Sequence, residues 1–143
     1  MWQELIATGF YVGRFRYAPG TLGTLWGVPL AYLFAFKWWT ALPFFLLLTY
    51  IAYITSEYMV SLTGEKDPED VVIDEVAGYF CAFLFVEPNL RTLALAFILF
   101  RVLDIVKPYP INLLQKLPGG YGVVADDLLA GMITGIVLLL LLS

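Results

Sequence analysis

The chain contains no histidine and a single cysteine, Cys81. Without histidine, the histidine phosphatases and the membrane phosphatases with a histidine nucleophile are excluded. One cysteine excludes an internal disulfide, and the pair of shortages argues against a zinc or copper site. A cysteine phosphatase needs an arginine six places after its nucleophile, and the residue there is Glu87. Cys81 reads as a small apolar filler. Charge is scarce as well, at 14% of residues against 61% hydrophobic, with mean hydropathy +0.83. Soluble domains carry about a quarter charged residues, so the composition points to an integral membrane protein. The net charge of -4 comes without a basic run and gives no hint of a nucleic-acid partner, so none is expected. A length of 143 residues suits one domain, 1–143. The start "MWQELIATGF" has an acid and no basic stretch. It therefore reads as a short interfacial amphipathic helix anchored by Trp2, not as a cleavable signal.

What is present is a series of apolar runs, roughly 22–36, 41–58, 71–88, 91–107 and 123–142. They predict an all-α, polytopic membrane bundle of about five spans plus the N-terminal interfacial helix. Several runs are shorter than the ~20 residues of a straight crossing. "KWWT" at 37–40 and "EPN" at 87–89 read as tight turns, and "TGEKDPED" at 63–70 as a polar loop. Within that loop Glu65, Lys66, Glu69 and Asp70 read as solvated charges. Pro108 and Pro110 end the fourth run, and "PGGYG" suits turns with positive φ. Threading five crossings gathers Arg14, Arg16, Lys66, Arg101, Lys107 and Lys116 on one side, leaving Lys37 and Arg91 on the other. The positive-inside rule makes the richer side cytoplasmic.

The same threading brings the remaining charges together. Asp74 and Glu75 open the third run, Arg101, Asp104 and Lys107 close the fourth, and Asp126 and Asp127 open the fifth. All fall at the cytoplasmic face. A charge inside a membrane helix costs about 2.5–3.5 kcal/mol on insertion scales, so a compensating cation is expected. Mg²⁺ takes oxygen ligands and readily shares them with a substrate phosphate. Residues 101, 104 and 107 step by three along one helix face, so Arg101 and Lys107 suit phosphate oxygens. Gly78, Ala130 and Gly131 lie one turn beyond the acids and allow helices to approach closely. "RYAPGTLGTLWG", 16–27, reads either as a phosphate-facing loop using Thr21 and Thr24 or as a plain helix start. An Asp-x-Asp pair of the haloacid-dehalogenase kind is absent, as is the Asp-Gly pair of the CDP-alcohol phosphotransferases. Metal-assisted chemistry on an anionic group near the headgroups remains. A phosphotransferase acting on a lipid headgroup stays open beside a hydrolase. A small cation carrier would place acids near the membrane midplane, yet "AFLFV" and "ALAFILF" there hold no charge.

Four ordered motifs, "APGTLGTLWGVPL", "DPEDVVIDEVAGYF", "FRVLDIVKPYPI" and "GGYGVVADDLLAG", span most of the chain. Through them it resembles the phosphatidylglycerophosphatase A family. In that family Ile-Met often follows Gly-Gly-x-Gly; here Val123 and Val124 exchange apolar for apolar. The resemblance implies a Mg²⁺-dependent, multi-pass enzyme of a bacterial-type cytoplasmic membrane. It would hydrolyse the terminal phosphate of phosphatidylglycerophosphate to give phosphatidylglycerol, in phospholipid biosynthesis, within the lipid bilayer and without an obligatory protein partner. The expected metal ligands are Asp74, Glu75, Asp104 and Asp127, with Asp126 a further ligand or base. Arg101, Lys107, Thr21 and Thr24 are the expected phosphate-binding residues.

Overall fold

The computed structural model describes residues 2–14, 19–35, 37–65, 71–106, 108, 111–114 and 119–142. The elements are α1 (Trp2–Ala7), a 3-10 turn (Val12–Arg14), α2 (Pro19–Thr24), α3 (Gly27–Phe34), α4 (Trp38–Thr63), α5 (Ile73–Ala82), α6 (Leu90–Val106), α7 (Ile111–Leu114) and α8 (Gly119–Leu142). No strand occurs among the described residues, so the all-α expectation holds.

Of the about five spans expected, the described residues show two by length and composition. Among the described residues the two helices long and apolar enough to cross a membrane are α4 and α8. At 1.5 Å per residue they reach about 39 and 36 Å. α6 has 17 residues and α5 only 10, with α5 giving way to turns at Phe83. The apolar run at 71–88 was expected to be a span because it is hydrophobic all round. Its true setting is the protein core: every residue of α5 except Glu75 is buried. A helix enclosed by protein and one enclosed by lipid share the same composition.

α5 is the axis of the fold. A Cβ on Gly78 would meet the Asp127 backbone and the Phe100 ring, and one on Gly135 would meet Ala82 and Phe85. Positions rising along α5 thus meet positions rising along α8, so these two helices run parallel. α6 runs against them, because Arg101 pairs with Glu75 while the Tyr79 hydroxyl donates to the Leu93 carbonyl (2.7 Å). α4 is also antiparallel: Phe44 lies 5.1 Å from Phe80 and Tyr53 lies 4.6 Å from Tyr121, ring centre to ring centre. The starts of α5 and α8 therefore share one end of the bundle with the finishes of α4 and α6.

Local chemistry sets the element boundaries. At the start of α6, Asn89 Oδ1 accepts from the Thr92 N–H (3.0 Å), and Thr92 Oγ1 accepts from the Asn89 N–H (2.8 Å), a reciprocal cap. Gly64 ends α4 with φ 74°, a left-handed stop open to glycine. "KWWT" is only partly a turn, since α4 already begins at Trp38. "PGGYG" departs further from expectation: Gly119 opens α8, and Gly122 is buried within it. Glycine there continues the helix and does not supply a positive φ.

Candidate active site

The acids that the threading gathers do meet at one end of the bundle. Asp74, in the first turn of α5, and Asp126 and Asp127, in the third turn of α8, are all buried. One carboxylate oxygen of each lies within 4.8 Å of the other two. Asp104, near the end of α6, is buried beside Asp127. Close helix contact creates this grouping. Gly78 of α5 leaves no room for a side chain against the Asp127 carbonyl, so the start of α8 lies directly on α5.

Glu75, Arg101 and Thr21 adjoin this core. Arg101 pairs with Asp104 three residues on, and its guanidinium lies 3.7 Å from Glu75. Its Nε–H donates to Thr21 Oγ1 at 3.3 Å. α2 thus touches the acid group through Arg101. Thr24, one turn on, is fully buried. Glu75 faces Arg101, whereas Asp126 stands with Asp74 and Asp127. Lys107 falls outside the described residues.

Sequence reasoning missed the role of the N-terminal segment as a wall of this site. The Val72 N–H donates to the Ala7 carbonyl at 2.8 Å, two residues before Asp74. The Trp26 indole donates to the Gly9 carbonyl at 2.9 Å. Phe10 and Tyr11 adopt φ of 58° and 68° in the turn between, a costly conformation for bulky residues. No sequence signal marks it apart from Gly9, itself at φ 62°.

A divalent oxygen-ligated cation fits the donor set. Two opposite ligands of one Mg²⁺ stand about 4.2 Å apart, close to the spread of the three carboxylates. Asp127 Oδ1 is buried and accepts no hydrogen bond among the described residues. Bare carboxylates so close would repel one another strongly, and an acceptor of this kind suits a cation.

The sequence profile of the phosphatidylglycerophosphatase A family matches residues 5–142. The chain belongs to the phosphatidylglycerophosphatase A family. It is similar to the phosphatidylglycerophosphatase A of Escherichia coli strain K12, 32% identical over 92% of this chain and 78% of that one. The Haemophilus influenzae phosphatidylglycerophosphatase A is 34% identical over 94% of this chain and 85% of the relative. A Bacteroides thetaiotaomicron protein with the provisional name phosphatidylinositol-3-phosphatase is 38% identical, covering 90% of this chain and 86% of its own. No solved structure gives a significant match. The chain is a lipid phosphatase. Its two long apolar helices agree with a membrane protein.

Proposed function

We propose that this single-domain phosphatase hydrolyses the terminal phosphate of phosphatidylglycerophosphate, releasing phosphatidylglycerol and inorganic phosphate for phospholipid synthesis. The observation that supports it best is the buried trio Asp74, Asp126 and Asp127 beside Arg101, in a chain of this family. In the net reaction the bond from phosphorus to the glycerol oxygen breaks. Water supplies the new hydroxyl on phosphorus and the proton on the glycerol oxygen.

Asp74, Asp126 and Asp127 would hold Mg²⁺, with Asp104 completing the acid group. When bound, the ion supplies charge neutralisation for the phosphate oxygens. Arg101 presents a planar fork to those oxygens. Thr21 fixes the fork through Nε, and Glu75 holds it from the other side. Lys107, which follows α6 in the sequence, would add a second cation. Burial of the acids keeps bulk water away and strengthens every charge contact inside.

The reading includes a topology. α4 and α8 cross a bacterial-type cytoplasmic membrane, and the shorter α3, α5 and α6 complete a multi-pass bundle between them. Arg14 and Arg101 mark the acid-bearing end, and Lys37 and Arg91 the other. In the sequence Lys66 and Lys107 follow the ends of α4 and α6, which lie at the acid-bearing end, and this excess of basic residues makes that face cytoplasmic.

A second reading keeps this chemistry and changes the headgroup to a phosphorylated inositol. The similarity to the Bacteroides protein favours it. Incubation of the purified chain with each lipid in oxygen-labelled water tests both readings. One labelled oxygen in the released phosphate, with faster turnover of phosphatidylglycerophosphate, supports the first. Faster turnover of the inositol lipid replaces it with the second. Transfer of the phosphoryl group to an added alcohol, with no label in phosphate, overturns hydrolysis.

A further inference from the structure

An apolar groove of about 290 Å³ lies beside α2, lined by Val12, Leu22, Leu25 and Trp26. Its position is informative. Leu22 follows Thr21, whose hydroxyl accepts from Arg101, and Leu25 lies one turn further on. The groove is therefore lined from the residue next to the one that contacts Arg101. α2 packs closely on the residue before α5, since a Cβ on Gly23 would collide with the Val72 side chain. The helix that lines the groove therefore also rests against the segment that leads into Asp74.

The surroundings suit a lipid. Leu25 is 49% exposed, and the Phe10 ring, 61% exposed, packs 5.7 Å from the Trp26 ring. The left-handed turn at Phe10 and Tyr11 holds both rings outward on the acid-bearing side of the fold. Aromatic side chains gather where headgroups meet acyl chains, and a strained turn that exposes them suggests a use for the exposure.

We propose that this groove takes the first part of an acyl chain of the lipid whose phosphate lies at Arg101. The inference rests on the lipid-phosphatase reading and adds to it a determinant of specificity. One molecule spans both places: its phosphomonoester lies at Arg101 and the acid group, and its chain lies along Leu22 and Leu25. A water-soluble phosphomonoester has nothing to fill the groove. Chain length is thus recognised on the N-terminal segment and α2, apart from the chemistry on α5, α6 and α8.

The test uses the purified full chain in mixed micelles. Long-chain phosphatidylglycerophosphate is compared with a short-chain analogue bearing the same headgroup. In Leu25→Glu the preference for the long-chain substrate, as a ratio of kcat/KM, falls about 10-fold, the scale of losing a few methylene contacts. Leu25→Met retains the preference. An equal loss on both substrates, or none on either, overturns the proposal. A phosphatidylglycerol with a diazirine partway along one chain gives a reading independent of turnover. Cross-linking concentrated in residues 21–27, and suppressed by unlabelled phosphatidylglycerophosphate, supports the groove. Label spread evenly over the exposed faces of α4, α6 and α8 refutes it, as does a disulfide joining two copies of a Leu25→Cys chain. If the parent chain hydrolyses neither phospholipid, the proposed substrate fails, and the diazirine result still judges the groove.

Discussion

Gly131 of α8 presses against the carbonyl oxygen of Gly78 in α5, so closely that no Cβ fits between the two helices. The contact lies one turn beyond Asp127 and sets the distance from the α8 acids to Asp74. Gly131→Ala must move backbone, not merely a side chain. Overpacking of this kind costs about 1–3 kcal/mol. Activity should fall at least 10-fold while the protein still inserts, and thermal unfolding in detergent should occur at a lower temperature. Wild-type activity and stability in Gly131→Ala would show that the helices do not need this approach.

Asp127→Asn retains size and hydrogen bonding and removes one charge from the acid group. Loss of one strong electrostatic contact with the transition state is worth about 3 kcal/mol, or ~100-fold in turnover. Glu65→Gln, at an exposed position after α4, should change turnover less than 2-fold, as surface substitutions usually do. Steady-state phosphate release on both variants decides the matter. Full activity in Asp127→Asn would move the chemistry away from α8.

Thr21→Val removes the acceptor for the Arg101 Nε–H. A hydrogen bond to a charged group is worth about 1.5–3 kcal/mol. KM for the lipid should therefore rise about 10-fold with a smaller change in kcat, and Thr21→Ser should restore it. Arg101→Lys keeps the charge and loses the fork, so it should resemble Thr21→Val or be worse. A Thr21→Val enzyme with unchanged KM would remove α2 from phosphate binding.

The topology has its own test. A cysteine at position 65 lies at the acid-bearing end and one at position 37 at the other. Native Cys81 is buried and should stay silent. In intact cells an impermeant thiol reagent should label position 37 and leave position 65 unlabelled until the membrane is opened. The reverse pattern would turn the protein over.

Much of this site was legible in the sequence because charge in an apolar chain is conspicuous, and crossing parity alone brings Asp74, Asp104 and Asp127 to one face. Other features had no such signal. Asp126 and Asp127 are adjacent, about 100° apart around the helix, and sequence cannot say that packing buries both. Glu75 follows Asp74 in the same way, yet it turns to Arg101. The Thr21–Arg101 bond joins positions 80 apart, beyond any local periodicity. α5 looked like a span because core and lipid select the same apolar residues. What distinguishes it is that α4, α6 and α8 surround it, a property of the whole fold.

The central claim is that the buried acids work through a divalent cation on a lipid phosphomonoester. Its most direct test is phosphate release from phosphatidylglycerophosphate by the purified chain, first stripped with a chelator and then supplied with metal. The account predicts background release in the stripped enzyme and recovery with Mg²⁺ or Mn²⁺. Full turnover after stripping, with no response to added metal, would contradict it.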